Sequence, residues 1–180
     1  MALTFLLGGA RSGKSSLAVR MAGAAPGPVV FIATAEAKDD EMTARIDTHR
    51  EGRPEEWRTI EAPRSLLTAL GEVELEATLI IDCVSFWVAN LVMGGVTAER
   101  IEEEAGRAAA RGAARPGRTI AVSNEVGLGV VPPNELGRDF RDVLGRVNAA
   151  WAAHAAASYF VVAGLVIPLG EPPIGEGDQR

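Results

Sequence analysis

The chain has a single cysteine, Cys83, in 180 residues, which excludes an internal disulfide and a cysteine-based zinc cluster. A lone thiol suits a reducing compartment, so the cytoplasm is the expected location. Basic residues are not in excess either: 18 Lys and Arg against 24 Asp and Glu leave a net charge of −6. A general nucleic-acid or anionic-membrane surface needs a basic patch, so neither partner is expected. No basic segment precedes the short apolar run at the N-terminus, which argues against a signal peptide. Long apolar runs are also lacking. The nearest approach, 149–169, is rich in weakly hydrophobic alanine and is interrupted by His154, Ser158 and Pro168. It reads as a buried helix followed by a core strand and not as a membrane span. Repeats and interdomain linkers are absent, so one domain is expected over 1–169, with a Gly- and Pro-rich disordered tail over 170–180.

What the chain does have is 47% apolar residues, enough for a substantial core, in a distinctive alternation. Short β-branched or apolar runs recur at 3–7, 29–32, 78–81, 119–122 and 159–162, and 57–61 reads as a further short strand. Helical lengths separate them, at 14–24, 40–51, 64–70, 85–93, 98–112 and 135–156. Such alternation predicts an α/β domain with a mainly parallel sheet covered by helices. The helix near 98 begins with Thr97 as its cap and carries charge on several faces, which suits a solvated surface helix.

The first strand runs directly into Gly8-Gly9-Ala10-Arg11-Ser12-Gly13-Lys14-Ser15, which fits G-x-x-x-x-G-K-[ST] in the strand-then-loop context of a phosphate-binding P-loop. Its glycines permit a backbone whose N–H groups converge on phosphate oxygens, and the helix opening at Lys14 adds its positive dipole end. Nucleoside triphosphate binding is implied. Lys14 would reach the β- and γ-phosphates, and the Ser15 hydroxyl would ligate Mg²⁺. Leu79-Ile80-Ile81-Asp82 is a strand ending in a carboxylate, which makes Asp82 the candidate second metal ligand.

In the predicted second helix, Glu41, Arg45 and His49 share one face at i, i+4 spacing. Spacing alone leaves two readings open. One is a charged surface face in which Glu41 pairs with Arg45. The other is a neutral His49 that attacks a nucleotide phosphate while Arg45, Arg50 and Arg53 balance its charge. His154, in an Ala-rich helical run, suits a core or surface position.

Further stretches make a resemblance specific. They are Ile32-Ala33-Thr34-Ala35, Asp40-Glu41-Met42, Arg45-Ile46-Asp47-Thr48-His49, Arg53-Pro54 and Trp57-Arg58-Thr59-Ile60-Glu61. After them come Asp82-Cys83, Trp87-Val88-Ala89-Asn90-Leu91, the run from Ser123-Asn124-Glu125 to Pro132, Phe140-Arg141-Asp142, Gly145-Arg146-Val147-Asn148 and Val162-Ala163-Gly164-Leu165. Together with the P-loop they resemble the CobU/CobP family, the bifunctional adenosylcobinamide kinases and adenosylcobinamide-phosphate guanylyltransferases of cobalamin biosynthesis. The resemblance implies a P-loop NTPase fold with a RecA-like sheet, and two reactions. ATP or GTP phosphorylates adenosylcobinamide, and GTP then donates GMP to adenosylcobinamide phosphate through a guanylyl-histidine, for which His49 is the matching position. It further implies GTP contacts from Gly8, Gly9, Ala10, Arg11, Ser12, Gly13, Lys14 and Ser15, from Thr34, Ala35 and Glu36, from Glu51, Gly52, Arg53 and Pro54, and from Glu61 and Asp82. Mg²⁺ and a homotrimer belong to the same expectation, and because a chain of this size has little room for both a nucleotide and a corrinoid, a site shared between subunits is expected. The sequence departs from the family pattern at Val84-Ser85 and Leu128, which read as mild changes in packing. A kinase of single activity and a non-catalytic nucleotide-binding switch are the alternatives, and neither needs a nucleophile at His49.

Overall fold

The computed structural model describes residues 3–37 and 40–170, apart from the side chains of residues 41, 45, 47, 48, 49 and 51. The expected disordered tail lies, except for Gly170, outside the described residues. In chain order the elements are β1 (Leu3–Gly8), α1 (Lys14–Gly23), β2 (Val29–Ala33), α2 (Asp40–Glu51), β3 (Arg58–Glu61), α3 (Leu66–Gly71) and β4 (Thr78–Asp82). They continue with α4 (Val84–Met93), α5 (Ala98–Ala113), β5 (Thr119–Val122), α6 (Glu135–His154), β6 (Ala157–Val162) and β7 (Leu165–Leu169).

The strands form one sheet in the order β3-β2-β4-β5-β1-β6-β7. Every pairing from β3 to β6 is parallel, and β7 closes the edge antiparallel to β6. A parallel sheet needs cover on both faces, and the strands supply it through their period of two. Leu3, Phe5, Leu7, Val30, Ile32, Leu79 and Ile81 enter the larger core under α3 to α6. The intervening Leu6, Val29, Phe31, Ile80, Ile120 and Val122 pack on the opposite face with Ala18 and Ala22 of α1. Small residues let α1 lie close to the strands.

In α5 the buried residues Ile101, Ala105, Ala108, Ala109 and Gly112 recur at helical spacing. The Thr97 side chain accepts the Arg100 backbone N–H as expected of the cap. Helix α6 starts on Asn134, whose side chain accepts from the Gly137 N–H, and it ends two residues short of the expected boundary. At its C-terminal end Trp151 stacks on Phe5 with ring centroids 6.3 Å apart.

The last third of the chain departs from the expectation of one core strand. β6 is mostly half-buried, and it turns through Ala163 and Gly164 (φ 51° and 77°) into β7, whose residues are all exposed. Two residues in the left-handed region make a tight turn that suits a β-hairpin. This turn also touches the glycine loop, where the Gly164 N–H bonds the Ser12 carbonyl at 3.0 Å.

Candidate functional site

A parallel sheet brings the carboxyl ends of β1, β2, β4 and β5 to one edge, where the loops that follow them meet. There a cavity of about 670 Å³ is lined by residues 11–16 of the glycine loop and α1, by Asp82 and Cys83 after β4, and by Asn124 after β5. Helix α2 contributes Met42, Thr43, Ala44, Ile46 and Arg50, of which Met42, Ile46 and Arg50 recur four residues apart.

The loop geometry depends on its glycines. A Cβ on Gly8 would lie 2.2 Å from the Val161 carbonyl oxygen, so only glycine fits between β1 and β6. Gly13, with φ 99°, occupies the N-cap of α1 and has no side chain with which to cap the N–H groups at that end. Lys14 is buried, and its ammonium donates to the Gly9 carbonyl at 2.6 Å and to Ser12 Oγ at 3.3 Å. One carbonyl and one hydroxyl of the loop thus hold the cation against the glycine loop, the segment that binds a polyphosphate in a P-loop.

Asp82 ends β4, two strands from β1, with β5 between them, and Asp82 and Leu6 are both in register with Val122. The turn after it is clamped from β2. Thr34 Oγ1 donates to the Cys83 carbonyl at 2.7 Å and accepts from the Cys83 N–H at 2.8 Å. Asn90 of α4 donates in turn to the carbonyls of Thr34 and Pro63 at 2.8 and 3.1 Å. On the other side Asn124 donates to Ser85 Oγ at 2.9 Å, and Ser85 lies 3.0 Å from Cys83 Sγ. Asn148 donates to the Asn124 carbonyl at 3.0 Å and accepts from Ser123 at 2.7 Å. Ser85 is therefore a polar link and more than a packing substitution.

Burial, and to a lesser degree the charge of Asp82, push the Cys83 thiol up to about 12, so it carries no thiolate at neutral pH. Arg53 lies 3.8 Å over the Phe31 ring, and burial presses its pKa down while Asp82 pulls it up and Arg50 adds to the depression. Arg50 is paired with Glu61 across the cavity wall.

Of the residues expected at the site, Arg11, Ser12, Gly13, Lys14, Ser15, Ala35, Arg53, Glu61 and Asp82 line this cavity. Gly8 anchors the loop from within the sheet, Thr34 is fully buried as the clamp, and Glu36 pairs with Arg64 at 3.2 Å. Gly9, Ala10, Gly52 and Pro54 are not among its lining residues. The side chains of His49 and Glu51 lie outside the described residues. The α2 backbone still locates position 49: seven residues on from Met42, it returns to within about 20° of Met42 around the helix axis. His154 is exposed on α6, with Nδ1 2.9 Å from the Ala150 carbonyl. Arg50, expected to balance phosphate charge beside His49, also lines the cavity, as do Phe31, Phe86 and Asn124, which were not anticipated. Phe31 and Phe86 read as ordinary core residues in sequence, whereas Asn124 follows a strand at the same edge as Asp82, a signal that could have been used.

Residues 4–169 match the family model described as cobinamide kinase / cobinamide phosphate guanyltransferase. The chain is 45% identical over 169 residues to the bifunctional adenosylcobalamin biosynthesis protein CobP of Pseudomonas aeruginosa, covering 93% of this chain and 97% of that one. It is 39% identical over 180 residues to the corresponding CobU protein of Salmonella typhimurium, covering 93% and 99%. Among solved structures, an ATPase of a bacterial type III secretion system superposes with a TM-score of 0.60 at 12% identity, over 93% of this chain and 56% of that one. That likeness bears on the fold alone, and it agrees with a RecA-like P-loop sheet.

Proposed function

Because the chain belongs to the cobinamide kinase / cobinamide phosphate guanyltransferase family, we propose that its cavity carries both reactions of a bifunctional cobalamin-biosynthesis enzyme. ATP or GTP phosphorylates the aminopropanol hydroxyl of adenosylcobinamide. GTP then gives GMP to the resulting phosphate, yielding adenosyl-GDP-cobinamide and pyrophosphate. The observation that carries this reading is the buried Lys14 held by the glycine loop, on the same cavity as Asp82 and α2.

In the transferase reaction a neutral His49 nitrogen attacks the α-phosphorus of GTP, the bond to the bridging oxygen breaks, and pyrophosphate leaves with the electron pair. Lys14 and the loop amides stabilise the charge growing on that leaving group, and Arg50 and Arg53 line the same cavity. An oxygen of adenosylcobinamide phosphate then displaces the imidazole and frees His49. The kinase reaction uses the same loop, with the acceptor hydroxyl directed at the γ-phosphorus. Of the family's expected contacts, Ala35, Arg53 and Glu61 sit on the cavity wall beyond the P-loop and are assigned to GTP.

Mg²⁺ fits the donor set. Ser15 offers a hydroxyl and Asp82 a carboxylate on one cavity, leaving the remaining positions to phosphate oxygens and water, as this cation prefers. Among the described residues no group of three or more His, Cys, Asp or Glu could hold a metal without the nucleotide. When bound, the ion would neutralise phosphate charge.

A homotrimer in the cytoplasm completes the proposal. Light scattering should give three times the 18.9 kDa chain mass. No described helix is long and apolar enough to cross a membrane. The chemistry is tested with GTP labelled separately at the α- and γ-phosphates. Acid-labile α label should appear on the protein and be absent from His49→Ala, while γ label should pass to cobinamide. A variant that still takes up α label at the normal rate would refute His49 as the nucleophile.

A further inference from the structure

The cavity of about 670 Å³ falls within the roughly 300–1,000 Å³ that one small ligand occupies, so a nucleoside triphosphate fills it. The acceptor of the proposed reactions is a corrinoid, a broad macrocycle with methyl-bearing edges and neutral amide arms. Its hydroxyl or phosphate must reach the triphosphate while its bulk stays outside. The body of the acceptor therefore needs a surface that begins at the cavity mouth.

Loop 126–133 is such a surface. It leaves the sheet directly after Asn124, which lines the cavity, and its start is fixed to the glycine loop by the Glu125 N–H bonding the Gly8 carbonyl at 3.0 Å. Glu125 then folds back, its carboxylate accepting the Gly127 N–H at 2.5 Å. At the far end Arg138 donates to the Pro132 and Pro133 carbonyls at 3.1 and 2.8 Å. Between these tethers no residue is charged, and Leu128, Val130 and Val131 are 81%, 95% and 60% exposed. Leu128 thus packs against nothing substantial in the chain, contrary to the expectation of a packing change. Exposed aliphatic side chains gathered on a tethered loop beside a polar cavity mark an interaction surface. Without charge the loop offers a triphosphate no ion pair, whereas its exposed aliphatic side chains match the methyl-bearing edge of a corrin.

We propose that loop 126–133 is the docking surface for the corrin macrocycle, so that the acceptor lies across Leu128, Val130 and Val131 with its reactive arm entering the cavity past Asn124. The proposal rests on the family reading given above. It places acceptor recognition on the β5–α6 connection and nucleotide recognition on the β1 and β4 loops that flank it, with the β2 loop and α2.

The test uses the full chain and the double variant Leu128→Ser/Val130→Ser, with Leu75→Ser as control. Leu75 is also exposed but precedes β4, at the opposite edge of the sheet. Cobinamide binding is read by equilibrium dialysis through the corrin absorbance, GTP binding by a fluorescent analogue, and assembly by light scattering. An aliphatic anchor covered by its ligand is worth on the order of tenfold in affinity. The double variant should lose about tenfold or more for cobinamide while keeping its GTP affinity and mass, and Leu75→Ser should match the wild type. Cobinamide affinity within twofold of wild type would overturn the docking surface alone. A drop in assembly mass would also overturn it, by showing that the loop joins copies of the chain. A wild-type chain that binds GTP but no cobinamide would overturn the family reading, and the docking surface with it.

Discussion

Asp82 and Cys83 are adjacent in the chain and are given opposite chemistry by their surroundings. Asp82 ends its strand on the cavity that Ser15 of the P-loop helix also lines, and its charge is felt by Arg53. Replacing Asp82 by Asn keeps the size and removes the charge, so the Mg²⁺ concentration needed for half-maximal turnover should rise in both reactions. An unchanged Mg²⁺ titration would reduce Asp82 to a strand-end residue. Cys83 is buried and hydrogen-bonded, and its thiol is pushed up to about 12. A thiol reagent at pH 8 should therefore leave the native protein unmodified and react once denaturant opens the fold, as absorbance will report. Because the folded pKa is raised, the native state holds this proton more tightly than the unfolded chain. The contribution is complete below the unfolded value, about 8.5, and is lost as pH rises through the folded value. Denaturation midpoints should consequently fall between about pH 9 and 12, and less steeply in Cys83→Ala.

At the level of elements, the site depends on strand ends being held in register by groups that touch no ligand. Thr34 makes two hydrogen bonds to one residue of the neighbouring strand's turn, and both are buried. Thr34→Val keeps the shape and strands the Cys83 N–H and carbonyl, which should cost about 1–3 kcal/mol in a denaturant titration. The same variant should weaken Mg²⁺ use, since Asp82 precedes the loosened turn; a stability loss without that effect would make the clamp purely structural. The sequence resolved β1, β2, β4 and β5 at their expected starts because parallel strands buried on both faces read as short apolar runs, while β3, an exposed edge strand, begins one residue after its expected start. β7 escaped notice for the opposite reasons: it is exposed, contains Pro168, and follows β6 after two residues, so Val162 to Leu169 looks like one continuing segment. Helix α3 begins at Leu66, two residues later than expected, where Arg64 instead lends its carbonyl to Trp87 Nε1 at 3.0 Å. Of the site, the P-loop and Asp82 were legible because each is a local pattern on one strand end. Phe31, Phe86 and Asn124 come from three further places in the chain, and only the sheet order brings them together.

Across the whole molecule, the nucleotide cavity ties the two sides of the sheet's carboxyl edge to one another. Its walls come from the loop after β1 and from α1, β2, α2, β3, β4, α4 and β5, so a bound triphosphate links segments from much of the chain. A ligand that binds only the folded state at 100 times its Kd adds about 2.7 kcal/mol. For a domain of this length that shifts the melting temperature by roughly 5–10 °C. Wild-type protein with Mg²⁺ and a non-hydrolysable GTP analogue should show a shift of this order by differential scanning calorimetry. Lys14→Ala should lose most of it, because the cation at the centre of the loop faces the densest negative charge of the ligand. His49→Ala should keep it, since the imidazole is needed to form a bond to the α-phosphorus and not to hold the triphosphate. If His49→Ala melts like Lys14→Ala at every analogue concentration, α2 serves binding before chemistry, and the loss of α label in that variant no longer identifies the nucleophile.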